Sequence, residues 1–116
     1  MHVQISHSED VGADAALYDR VEGEVRQHLG RFEREVTTVQ VNLMDLNARS
    51  GGGGDKRVSL EARPTSHPAV TVHGEGGSYE DATRAAAKTL ERRLDGTLGK
   101  RSDVKGGATI RKSGSL

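Results

Sequence analysis

The run Ser78–Arg101, SYEDATRAAAKTLERRLDGTLGKR, decides the fold. Ser78 is a natural N-cap, and Glu80 and Asp81 follow in the first turn, where carboxylates meet the positive end of a helix dipole. The interior is built from Ala, Leu, Lys, Arg and Glu, all strong helix formers. At 100° per residue Tyr79, Ala82, Ala86, Leu90, Leu94 and Leu98 gather on one side, so this helix is expected to lie on a core. Arg84, Lys88 and Arg92 recur at i, i+4 and i+8, almost opposite that stripe. Gly99 with Lys100 and Arg101 predicts the stop, at Arg101. The cationic row has two physical meanings. With Glu91 and Asp95 near by it is a solvated face; facing a nucleic acid it is a line of phosphate contacts.

Toward the N-terminus, short alternating segments precede this helix. Gly74, Gly76 and Gly77 predict a turn, and Ala69–His73 before it reads as a strand with Val70 and Val72 inward. Pro64 and Pro68 bracket a turn through Thr65, Ser66 and His67. Arg57–Arg63 alternates, with Val58, Leu60 and Ala62 on one face. The connector NARSGGGGD, Asn47–Asp55, is expected to be a mobile hairpin loop; it lacks the Lys-Ser/Thr that would make it a phosphate-cradling loop. Thr37–Leu46 is the clearest strand, Val39, Val41 and Leu43 alternating with Thr38, Gln40 and Asn42. Before it, Leu17, Val21, Val25, Leu29 and Phe32 recur at spacings of 4, 4, 4 and 3, which predicts a helix from Ala15 to about Phe32 capped by Asp14 and weakened near Gly30. His2–Ser6 is a first short strand.

The order is β-α-β-β-β-α, an α+β fold: a four-stranded mixed sheet with both helices packed on one face. The first βαβ link should pair two strands in parallel, and the others should form antiparallel hairpins. The opposite sheet face, with Gln4, Gln40, Asn42, Arg57, Ser59, Glu61, Arg63 and His73, is left for solvent or a partner. Residues 1–101 form the domain. Residues 102–116, SDVKGGATIRKSGSL, are polar and basic, offer nothing to bury, and are expected to be a flexible tail.

Composition narrows the chemistry. The 116 residues contain no cysteine, which removes thiolate metal sites and cysteine nucleophiles. The five histidines have no metal-site spacing, and no nucleophile elbow occurs, so neither catalysis nor a metal nor a cofactor is expected. The N-terminus has no apolar signal run and no stretch could span a bilayer, which predicts a cytoplasmic protein that does not engage membranes. Net charge is zero, yet it is unevenly spread: residues 1–55 carry 5 basic and 10 acidic groups, residues 56–116 carry 12 basic and 7 acidic. A cationic face can hide behind that average.

The run VTVHGEGGSYEDATRAAAKTLERRLDGTLGKR, Val70–Arg101, resembles the second-helix region of the ribosome hibernation-promoting factor family, which includes the ribosome-associated inhibitor A, sigma-54 modulation or S30Ae proteins. Ala82 followed by LERRL at Leu90–Leu94 keeps that family's spacing, and DKRVSLEAR at Asp55–Arg63 looks like a short bacterial branch of it. The family's aspartate-hydrophobic-tyrosine entry to this helix reads Ser78-Tyr79-Glu80 here, and its crowd of basic residues is thinned. The resemblance implies binding to the small ribosomal subunit on rRNA, in the channel used by messenger and transfer RNA, with translation silenced under stress. It places RNA contacts on Arg31 in the first helix and on Arg84, Lys88, Arg92, Arg93, Lys100 and Arg101 in and after the second. No small-molecule substrate is expected, and the chain is expected to be a monomer when off the ribosome. The alternative is a protein-interaction module working through the open sheet face.

Overall fold

The computed structural model describes residues 1–8, 11–46 and 56–105, with side chains through Leu98. Its elements are β1 (His2–His7), α1 (Ala15–Leu29), a 3-10 turn (Gly30–Phe32), β2 (Val36–Asp45), β3 (Lys56–Pro64), β4 (Val70–Gly76) and α2 (Tyr79–Lys105). One sheet in the order β1-β2-β3-β4 carries both helices on one face. β1 runs parallel to β2, and the two remaining pairs are antiparallel. The α+β architecture is the one the alternation and helical periods predict.

Register aligns the apolar residues across the sheet. Ile5 pairs with Val41, Val41 with Leu60, and Leu60 with Val72, so one cross-strand row is apolar along its length. Because side chains alternate along a strand, the neighbouring row is polar: Gln4, Gln40, Glu61 and Thr71. Leu17, Val21, Val25 and Leu29 of α1 and Ala82, Ala86, Leu90, Leu94 and Leu98 of α2 are buried against the inner face. Thr83 and Ala87 are buried as well, which makes the packed stripe of α2 broader than the Leu and Ala spacing predicts. Thr83 satisfies its hydroxyl on the Tyr79 carbonyl at 2.6 Å.

The differences from expectation lie at element ends. Asp14 caps α1 as predicted, its Oδ1 accepting from the Leu17 amide at 2.8 Å. The α-helix gives way at Gly30, not Phe32; the last turn tightens to 3-10 and still buries Phe32. β4 continues to Gly76, so Gly74 and Gly76 are strand residues and not part of a turn. The reason is packing. A Cβ on Gly74 would overlap the Ala82 carbonyl oxygen and the Ala86 amide nitrogen, and one on Gly76 would lie 2.9 Å from the Asp81 Cβ. Glycine in the strand and alanine in the helix let the two backbones approach closely. At the other end α2 runs past Arg101 to Lys105, since one glycine costs a helix about 1 kcal/mol and does not by itself stop it. The expectations for the glycine-rich connector and for the tail from Gly106 onward lie outside the described residues.

Candidate nucleic-acid interface

The side-by-side packing of α1 and α2 creates a charged seam. Arg84 of α2 forks onto Glu24 of α1, Nε donating to Oε1 at 3.3 Å and Nη2 to Oε2 at 3.0 Å. It also reaches Asp81 at 3.2 Å and Glu80 at 3.6 Å. Glu24 is itself buried, which is uncommon for a carboxylate without a paired cation. Farther along the seam, Arg31 donates to Asp95 Oδ2 at 2.6 Å and to Glu91 Oε2 at 3.4 Å, with its guanidinium 4.3 Å from the Phe32 ring centre. His28 stands between the two clusters, 3.7 Å from Glu24 and 3.5 Å from Glu91. The hydrogen bond from Arg31 holds the Asp95 carboxyl below its ordinary value, and the same bond raises Arg31. Arg84 is raised by its hydrogen bond to Glu24.

The crest of α2 is different. Lys88, Arg92 and Arg93 are exposed, and among the described residues none has a carboxylate within 4.0 Å. Arg92 makes one contact, to the Thr89 hydroxyl at 3.4 Å. Of the other cations with described side chains only Arg34, just past the 3-10 turn, is similarly unpaired. Arg20 faces Glu80 at 3.9 Å, Arg26 faces Glu22 at 2.8 Å, Lys56 faces Asp45 at 3.0 Å, Arg57 faces Glu75 at 2.9 Å and Arg63 faces Glu61 at 3.3 Å.

The residues that the resemblance assigns to RNA thus fall into three groups. Arg31 and Arg84 are engaged in the seam, and Arg31 belongs to the 3-10 turn, not to α1 itself. Lys88 and Arg92 share the crest, and Arg93, about 100° farther round the helix, is exposed as well. Lys100 and Arg101 lie on the helical backbone beyond the described side chains. Arg34, which the resemblance does not assign to RNA, is an exposed cation just past the end of the first amphipathic pattern.

The outer sheet face forms a shallow concavity of about 490 Å³ lined by Gln4, Ser6, Gln40, Asn42, Ser59, Glu61 and Thr71. Its amides lean on one another, Gln40 Nε2 donating to Gln4 Oε1 at 3.4 Å and the Ser6 hydroxyl donating to Asn42 Oδ1 at 3.3 Å. It offers hydrogen bonds and no aromatic platform for stacking bases. Among the described residues no group of three or more His, Asp or Glu could hold a metal ion, and no helix is long and apolar enough to cross a membrane.

The four-stranded sheet is backed by two helices, and cations are left unpaired on one of them. Residues 4–102 match the family model for sigma 54 modulation protein / S30EA ribosomal protein, and the chain belongs to that family. It is a family of ribosome-associated modulation proteins, not of enzymes. Among solved structures the fold is similar to a ribosomal subunit interface protein from Coxiella burnetii, with TM-score 0.67 and 15% identity over 85% of this chain and 99% of that one. It is equally similar to the N-terminal domain of Thermus thermophilus Protein Y, with TM-score 0.67 and 18% identity over 84% of this chain and 99% of that one. No match is found among curated protein sequences.

Proposed function

We propose that this protein is a translation inhibitor of the hibernation type, which docks on the rRNA of the small ribosomal subunit at the decoding region and blocks messenger and transfer RNA under stress. It acts in the cytoplasm by occlusion, as a single chain before it docks, and its ribosome-binding unit is residues 1–101. The observation that carries this reading, beside the family, is the concentration of unpaired cations at Lys88, Arg92 and Arg93. Phosphate contacts need a cation that gives up water and not a carboxylate, and each such contact releases condensed counterions. The family resemblance adds Lys100 and Arg101 as further contacts, while Arg31 and Arg84 would contribute only after exchanging a carboxylate for a phosphate.

Sedimentation of the protein with purified 30S subunits at graded salt tests the reading. Co-sedimentation that weakens steeply with salt, together with loss of messenger-dependent transfer RNA binding, is the expected result. A protein that stays at the top of the gradient at low salt would overturn it. A complex insensitive to salt would favour a protein partner on the sheet concavity.

A further inference from the structure

His28 lies in the α1–α2 seam and has no role in the proposed phosphate binding. Its side chain is 18% exposed and points between the helices, and both ring nitrogens meet carboxylate oxygens: Nε2 lies 3.7 Å from Glu24 Oε1, Nδ1 3.5 Å from Glu91 Oε1. A neutral imidazole has one N–H and one lone pair, so whichever tautomer forms, one nitrogen turns a lone pair toward an anionic acceptor. The imidazolium has two donors and suits both.

Those two carboxylates are the ones that also hold the seam arginines. Glu24 Oε1 accepts from Arg84 Nε, and Glu91 Oε2 from Arg31 Nε, while Glu91 Oε1 meets only His28 among the described residues. The charged groups around the ring are Glu24 on its own helix, Arg31 on the 3-10 turn, and Arg84, Glu91 and Asp95 on α2. Across the whole seam the carboxylates of Glu24, Glu80, Asp81, Glu91 and Asp95 outnumber the cations of Arg20, Arg31 and Arg84. With His28 neutral, the surface beside the α2 crest is therefore net negative and repels a phosphate chain.

We propose that His28 is a proton-operated gate on this seam: when its ring becomes the imidazolium it takes a share of Glu24 and Glu91, loosens their hold on Arg84 and Arg31, and turns both guanidinium groups toward an anionic partner, so that phosphate binding by the helical face strengthens on acidification. The gate itself rests on the seam geometry; its consequence for rRNA rests on the proposed function. Histidine changes charge between pH 5 and 8, while ordinary carboxylates stay ionised above about pH 5, so the gate works inside that window. The other histidines, His2, His7, His67 and His73, belong to β1, the β3–β4 turn and β4. The effect of His28 is consequently the difference between wild type and His28→Gln.

The test uses the full chain in two arms. Without RNA, the Nε–H signals of Arg31 and Arg84 are followed by nitrogen-15 NMR from pH 8 to pH 5.5. They are expected to move with the midpoint of the His28 ring in wild type and to stay still in His28→Gln. With 30S subunits at fixed salt, wild type and His28→Gln should bind alike at pH 8 and differ about three- to tenfold at pH 5.5, the scale of one added charge beside the phosphates. His28→Lys, charged throughout, should bind more tightly than wild type and His28→Gln at pH 8. Arginine signals that ignore the His28 titration overturn the gate, as do wild type and His28→Gln sharing one pH profile of binding. Arginine signals that titrate with His28 in a protein that never sediments with 30S would uphold the gate and sink the ribosomal reading instead.

Discussion

Arg84 and Lys88 stand one helical turn apart in the same row of α2, yet they belong to different parts of the molecule. Arg84 is gripped by Glu24, Asp81 and Glu80; Lys88 meets no carboxylate among the described residues. The seam uses its cations to join two helices, and the crest leaves its own to solvent. A net charge of zero hides this, because pairing and not the total decides which cations a phosphate can use. The expected consequences run from the element that carries both regions to the crest alone, in order of their effect on the fold.

Leu90 is fully buried under α2 and supports seam and crest alike. Leu90→Ala is expected to cost about 2–5 kcal/mol, the range for truncating a buried leucine. Chemical denaturation of the variant measures it. A change below about 1 kcal/mol would mean that α2 is not docked by this stripe, and the contrast between its two faces would lose its basis.

Next comes Arg84→Gln. Simple solvation of the row predicts that glutamine at Arg84, Lys88 and Arg92 leaves stability unchanged, since propensity and length are kept. The seam corrects that expectation for Arg84. Exposed ion pairs contribute little, but Glu24 is buried, and a buried carboxylate stripped of its cation is left poorly compensated. Arg84→Gln should lower the melting temperature clearly, and adding Glu24→Gln should restore part of the loss. A melt equal to that of Lys88→Gln would erase the distinction between the two neighbours.

The pair at the other end of the seam gives a smaller, pH-dependent effect. Arg31 holds the Asp95 carboxyl below the ordinary value of 3.8. A carboxyl depressed by folding stabilises the native state fully above its unfolded value, and that contribution disappears as the pH falls through the folded value. Both groups are exposed, so the gain is slight. Asp95→Asn should melt a little below wild type at pH 7, with the gap closing below about pH 4. A gap that widens toward acid would reverse the sign assigned to this pair.

How much of this can be read from the sequence follows from the range of each interaction. Val39, Val41 and Leu43 announce a strand because alternation is a local signal, and Leu90 and Leu94 announce a buried helix face for the same reason. Gly74 misleads, because a glycine that makes room for Ala82 and Ala86 looks like one that makes a turn. The seam is out of reach. Arg84 and Glu24 are sixty positions apart, and a helical wheel shows which residues share a face but not which helix stands beside it. One hint is present: once Thr83 and Ala87 are counted as buried, the apolar stripe spreads to the flank where Arg84 and Glu91 sit. Alanine and threonine are too neutral in hydropathy to signal that alone.

The crest is where the fold should feel nothing and binding should feel most. Lys88, Arg92 and Arg93 are exposed, hold no carboxylate among the described residues, and stand on a helix whose glutamine propensity matches their own. Replacing all three with glutamine is therefore expected to leave the melt within about 0.5 kcal/mol of wild type, as ordinary surface changes do. A cation that no longer meets a phosphate no longer releases its counterions, so the slope of log K against log salt on 30S subunits should flatten by up to about 1 per residue. Arg84→Gln provides the internal control, since it removes one positive charge from the same row yet should disturb stability first. Flattening by the crest variant with an intact melt would assign the rRNA contacts to unpaired cations. Unchanged affinity at every salt concentration would reduce the crest to a solvated face, and the unpaired cations would no longer mark the docking surface.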